Sequence, residues 1–219
     1  MATRNASTRS SNPSRGASSA KNQIVAMLKA DHKKVKKAFK DFEKMDPQED
    51  PQECQALVEH TLGEIEVHAE LEEQLFYPAA RGAIEEEDLI DEAEVEHMTA
   101  KVLIQQLKGM GAQDEKFAAT FKVLGEYLKH HIEEEEGEMF KQLTASGADW
   151  RTVLEEMQSQ RERLMQEKGI APEEEESDSG QAVGAARTSA PGAGMSRGES
   201  QARPQASSKP SKSSPSEKE

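Results

Sequence analysis

The chain has 219 residues, with 42 acidic against 28 basic, a formal net charge of −14 and only 4% aromatic residues. The acidic excess falls in the middle of the chain and argues against phosphate-backbone binding there, so no nucleic-acid partner is expected. A single cysteine, Cys54, excludes an intrachain disulfide, and no apolar stretch approaches the ~18 residues that cross a bilayer.

The N-terminal stretch MATRNASTRSSNPSRGASSA lacks the apolar core of a secretory signal. It reads as a disordered arm over residues 1–20, and the protein reads as cytoplasmic. A first helix is expected over about 21–45, with Ile24, Leu28, Val35, Phe39 and Phe42 on one side, stopped by Asp46-Pro47. A second, over about 51–80, carries Leu57, Leu62, Ile65, Leu71 and Leu75 and ends at Arg81-Gly82. A third, over about 86–108, carries Ile90, Val95, Val102, Leu103 and Leu107. A fourth, over about 114–144, carries Phe117, Phe121, Leu124, Leu128, Ile132, Met139 and Phe140. No strand-type alternation occurs, so the fold class is all-α: an up-down-up-down four-helix bundle over residues 21–145. An additional helix over residues 146–170 puts Trp150, Leu154, Met157 and Leu164 on one stripe for packing on the outside of the bundle. Residues 171–219, rich in Ser, Pro, Gly and Ala, read as a disordered tail.

Every bundle helix carries a histidine. Counting from the connecting loops at ~1.5 Å per residue puts His68 level with His97, and the other two loops carry matching offsets for His32 and His131. The spacing of 36 residues from His32 to His68 and 34 from His97 to His131 suggests a duplicated helical hairpin. The second helix of each hairpin repeats a carboxylate one turn on: Glu72 after His68, Glu135 after His131. Four imidazoles and two carboxylates at one depth match a pair of metal ions ~3.5–4 Å apart with bridging carboxylates. Such ligands suit iron, manganese or zinc. His60-Glu64 and His130-Glu134 share the spacing by chance: His60 reads as a surface residue, and His130 points about 100° away from His131, so only one of those two can be a central ligand.

ADHKKVKKAF, HAELEEQLFYP, DEAEVEHMTAKVLI and YLKHHIEEEEGEMF, in that order, give the chain over about 21–145 a resemblance to the hemerythrin-like family, or HHE cation-binding domain. The resemblance implies a non-haem diiron centre with His32, His68, Glu72, His97, His131 and Glu135 as ligands, Glu72 and Glu135 bridging. Oxygen-carrying members place a further histidine four residues on in the third helix, where this chain has Lys101. Water or Glu94 would have to complete the coordination. Phe39, Phe42, Phe76, Tyr77, Phe121 and Phe140 are candidates for a dry pocket wall. The expected function is binding of two iron ions and then of O₂, nitric oxide or peroxide, for sensing, storage or detoxification. Manganese or zinc are alternative metals. A peroxide-decomposing or ferroxidase enzyme at the same site is one alternative, and a metal-free interaction bundle is another. The absence of a glycine-rich phosphate loop, a nucleophile with its base or a Cys-x-x-Cys pair leaves hydrolase and nucleotide chemistry unsupported.

Overall fold

The computed structural model describes residues 13–171, and every regular element among them is helical. Helix α1 (Pro13–Phe42) pairs with α2 (Pro51–Leu71), which continues through a π-turn (Glu72–Phe76) into α3 (Tyr77–Arg81). Helix α4 (Asp88–Lys108) pairs with α5 (Phe117–Glu134), which continues through a second π-turn (Glu135–Met139) into α6 (Phe140–Gln142). These two hairpins make the four-helix bundle. Helix α7 (Trp150–Lys168) lies across α1 and α2 on its outside.

The boundaries follow local chemistry. Pro51 occupies the first position of α2, where its missing N–H costs nothing. Asp149 caps α7 by accepting from the Thr152 amide, and Gly169, at φ 68°, closes it in the left-handed conformation. Helix α1 begins eight residues ahead of the expected start. Its early turns are held by tertiary contact: Ala20 is buried, and the Lys21 ammonium donates to the Leu143 carbonyl at 2.9 Å. The arm of residues 1–12 and the tail of residues 172–219, expected to be disordered, lie outside the described residues.

Two apolar clusters fill the bundle, one at each end. The first gathers Ile24, Leu28, Leu71, Phe76, Ile90 and Phe140 with Trp150, Met157 and Leu164 of α7. The second gathers Val35, Leu62, Ile104, Phe117, Phe121 and Leu124. Val95 and Val102, expected on the inward stripe of the third helix, are instead more than half exposed, with Met98 beside them. At about 100° per residue they lie roughly 140–160° round α4 from His97, and His97 faces inward. Between the clusters runs a layer of buried polar side chains.

Candidate metal centre

His32 of α1, His68 of α2, His97 of α4 and His131 of α5 are all buried and meet in that layer. The Nε2 atoms of His32 and His68 are 3.2 Å apart, and those of His97 and His131 are 3.1 Å apart. Glu72 and Glu135, each at most 1% exposed, complete the layer from the start of the two π-turns. A Glu72 oxygen lies 3.1 Å from His68 Nε2 and 3.5 Å from His97 Nε2. A Glu135 oxygen lies 3.2 Å from His32 Nε2 and 3.7 Å from His131 Nε2. Two groups with metal-holding geometry result: His32, His68, Glu72 and Glu135, and Glu72, His97 and His131. The structure thus brings all six sequence-selected side chains together, with Glu72 common to both groups. His60 and His130 lie outside, each substantially exposed.

Each Nδ1 faces a carboxylate: His32 with Glu136 at 3.0 Å, His68 with Asp31 at 3.3 Å, His97 with Glu73 at 3.0 Å and His131 with Glu96 at 2.8 Å. A carboxylate only accepts, so each Nδ1 carries a proton, and in the neutral ring each Nε2 then presents its lone pair inward. Lys36 extends the first contact by donating to Glu136 at 3.3 Å, and Lys101 extends the third by donating to Glu73 at 2.6 and 2.5 Å. Lys101 is therefore occupied outside the centre. Glu94, a candidate for completing the coordination, is on the surface and pairs with Arg81 at 3.1 Å.

Four inward lone pairs beside two buried carboxylates demand positive charge. Among the described residues, Glu72 Oε1 and Glu135 Oε2 are buried without a hydrogen bond, an arrangement that costs about 1–3 kcal/mol per group when nothing compensates it. Protons supply part of the charge. Burial disfavours the His68 cation, but Glu72 and Asp31 outweigh it and raise His68 above the ordinary histidine value. Burial likewise opposes the His131 cation, and Glu135 and Glu96 overcome it. Burial pushes the Glu135 carboxyl up, yet His131 and His32 hold it well below the carboxylate range. Metal cations would satisfy the same groups without protonating the imidazoles, and the donor set of imidazole nitrogen and carboxylate oxygen suits them.

Tyr77, read from the sequence as pocket lining, has a polar role. Its hydroxyl donates to Glu135 at 2.9 Å and lies 3.4 Å from His97 Nε2 and 3.5 Å from Glu72. Burial, with Glu135 and Glu72 adding to it, raises its pKa and keeps the phenol neutral. The π-turn puts it there. In an unbroken α-helix Tyr77 would sit about 180° from His68, and the extra residue in the turn, closed by the Tyr77 amide donating to the Glu72 carbonyl, rotates it inward. Phe76 and Phe140 also border the layer, Phe140 stacking on His32 at 6.0 Å. Phe39, Phe42 and Phe121 do not line it. They pack on one another, and the buried pair among them belongs to the far cluster.

A cavity of about 390 Å³ opens on the side of the imidazoles away from Tyr77. Its inner wall is Val35, Ile65, Ala100, Ile104 and Leu128, and its mouth, between α2 and α4, is flanked by Glu73 and Lys101.

The model of the hemerythrin HHE cation binding domain matches residues 23–143. A DNA nickase from a Nostoc species is 27% identical over 117 residues, which is 53% of this chain but 32% of that protein, so the chain spans about a third of that relative's length. The crystal structure of a hemerythrin HHE cation binding domain-containing protein from Mycobacterium kansasii superposes with a TM-score of 0.53 at 22% identity, covering 65% of this chain and 85% of that one. At that identity the likeness speaks for the fold.

Proposed function

The chain belongs to the hemerythrin HHE cation-binding family, and on that footing we propose that it holds two iron ions in the polar layer and offers them to O₂, nitric oxide or peroxide for sensing, storage or detoxification. The observation that carries this reading is the pair of buried glutamate oxygens without a hydrogen bond, set among four imidazoles whose Nε2 atoms converge. His32, His68, Glu72 and Glu135 would hold one ion, and His97, His131 and Glu72 the other. When bound, such a pair supplies electrons and open coordination positions for a small ligand.

The chain's own residues do the rest. The four outer carboxylates fix the imidazole tautomer and ring orientation. The glutamates and Tyr77 lie toward one end of the bundle, so the cavity on the other side, aliphatic at its inner wall and charged at its mouth, is where a ligand would approach. Its aliphatic wall favours a small apolar ligand and disfavours water. Tyr77 holds a proton beside Glu135, and that single observation favours the second reading, peroxide decomposition, which needs a proton donor at the centre. DNA nicking finds no support in a chain of net charge −14.

Elemental analysis of the purified protein tests the proposal. About two metal ions per chain are expected in the wild type and in His60→Ala, with most of the metal lost in His68→Ala. Equal metal content in all three proteins would refute it.

A further inference from the structure

We propose that Glu96, His130 and Glu134 form a third cation site, on the outer face of the α4–α5 hairpin, that takes a single divalent transition-metal ion such as Zn²⁺. His130 Nε2 lies 3.2 Å from Glu134 Oε1 and 3.8 Å from Glu96 Oε1, and one ligand atom from each residue falls within 4.8 Å of the others. An imidazole with two carboxylates is a sufficient protein share for zinc or manganese, water completing the shell.

Spacing alone would not carry this, because His130 and Glu134 are partly exposed and such pairs are common. The independent observation is Glu96. It is 7% exposed, its Oε2 accepts from His131, and its Oε1 lies 3.8 Å from His130 Nε2, within the same group as Glu134. The other hairpin shows what a carboxylate in this position needs. His97 follows His32 by 65 residues, so Glu96 corresponds to Asp31. Asp31 faces His68 with one oxygen, and both of its oxygens are taken by the Arg161 guanidinium of α7. Helix α7 packs chiefly on the first hairpin. Among the described residues no lysine or arginine pairs with Glu96 or Glu134, and Glu134 also feels the negative charge of Glu92 and Glu138. A bound cation would supply at Glu96 the charge that Arg161 supplies at Asp31.

The outer site is distinct from the buried pair but touches it. A void of about 10 Å³, large enough for one water, is lined by Glu96 and Glu134 on one side and His131 and Glu135 on the other.

Calorimetric titration of the full chain with Zn²⁺ at neutral pH tests the proposal. The wild type should show one weaker equivalent beyond those taken by the buried centre. His130→Ala should lose that equivalent, Glu134→Gln should weaken it at least tenfold, and both should keep the tight equivalents. His68→Ala, which damages the buried centre, should retain it, so a failure of the diiron reading and a failure of this one give different patterns. The same number of equivalents at the same affinity in wild type and His130→Ala would overturn the proposal. So would loss in His130→Ala with no change in Glu134→Gln, which would mean a lone surface imidazole.

Discussion

Matched residue by residue in sequence, the hairpins α1–α2 and α4–α5 agree at the centre and part company around it. His32 falls on His97, His68 on His131 and Glu72 on Glu135; outside them Asp31 falls on Glu96, Glu73 on Glu136 and Lys36 on Lys101. Both second helices break into a π-turn at the buried glutamate. Three pairs differ. Tyr77, which donates to Glu135, falls on Phe140, which stacks on His32. Phe39, packed over Gly125 on the α1–α5 side, falls on Ile104, beside the cavity on the α2–α4 side. Arg161 of α7 engages Asp31, while among the described residues no arginine or lysine pairs with Glu96. The positions held in common are those that a symmetric pair of ions would need. The unmatched ones concern proton supply, access and the seat of α7.

The largest effect is expected from the element that only one hairpin carries. Trp150 is fully buried in the first cluster and donates to the Thr144 carbonyl at 2.9 Å. Trp150→Ala should cost about 3–5 kcal/mol in chemical unfolding, through lost packing and the cavity left behind. It should also release α7 from α1 and α2, seen as faster amide exchange in 150–168. A loss under about 1 kcal/mol would mean that α7 is an appendage and the hairpins are more alike than the structure shows.

Next comes the ion pair that α7 delivers. Arg161→Ala should cost about 1–3 kcal/mol at neutral pH, because it strips a partner from a buried carboxylate. Burial pushes the Asp31 carboxyl up, but His68 and Arg161 outweigh it and hold it well below the ordinary value. A depressed carboxylate contributes stability above its unfolded pKa of ~3.9 and loses it as pH falls through the folded value. The gap between wild type and Arg161→Ala should therefore be full at pH 7 and shrink below about pH 4. A gap that stays constant down to pH 2.5 would remove Asp31 from the explanation.

Much of this was legible in the residues. The histidine register needs only a constant rise per residue and loops marked by Asp46-Pro47, Gly82 and Gly109-Met110-Gly111, so His32, His68, His97 and His131 could be levelled by counting. The same counting, applied to faces, would have turned Val95 and Val102 outward once His97 was taken as inward. The outer carboxylates were missed because the chain has 42 acids, yet a signal existed. Asp31, Glu73, Glu96 and Glu136 each adjoin a member of the central layer in sequence, and they do so in matching order in both hairpins. The π-turns left no such mark. A shift from i+4 to i+5 bonding is a backbone event with no residue signature, so Tyr77 stayed on the wrong side of its helix and could be read only as an aromatic wall. Helix α1 began early for a similar reason: Ala20 and Lys21 are held by distant contacts that no local pattern records.

The smallest stability effect, and the sharpest test of the difference between the two sides, is expected at the matched lysines. Lys101 and Lys36 are both about half exposed, so Lys101→Ala and Lys36→Ala should each cost no more than about 1 kcal/mol. Access should separate them. Lys101 and Glu73 flank the mouth of the cavity between α2 and α4, whereas Lys36 lies on the α1–α5 side, where Phe39 packs over Gly125. In iron-loaded protein, stopped-flow mixing with nitric oxide should give a several-fold faster association rate for Lys101→Ala and an unchanged rate for Lys36→Ala. Equal acceleration in both variants would mean that Phe39 is no plug and that ligands reach the centre from either side of the bundle.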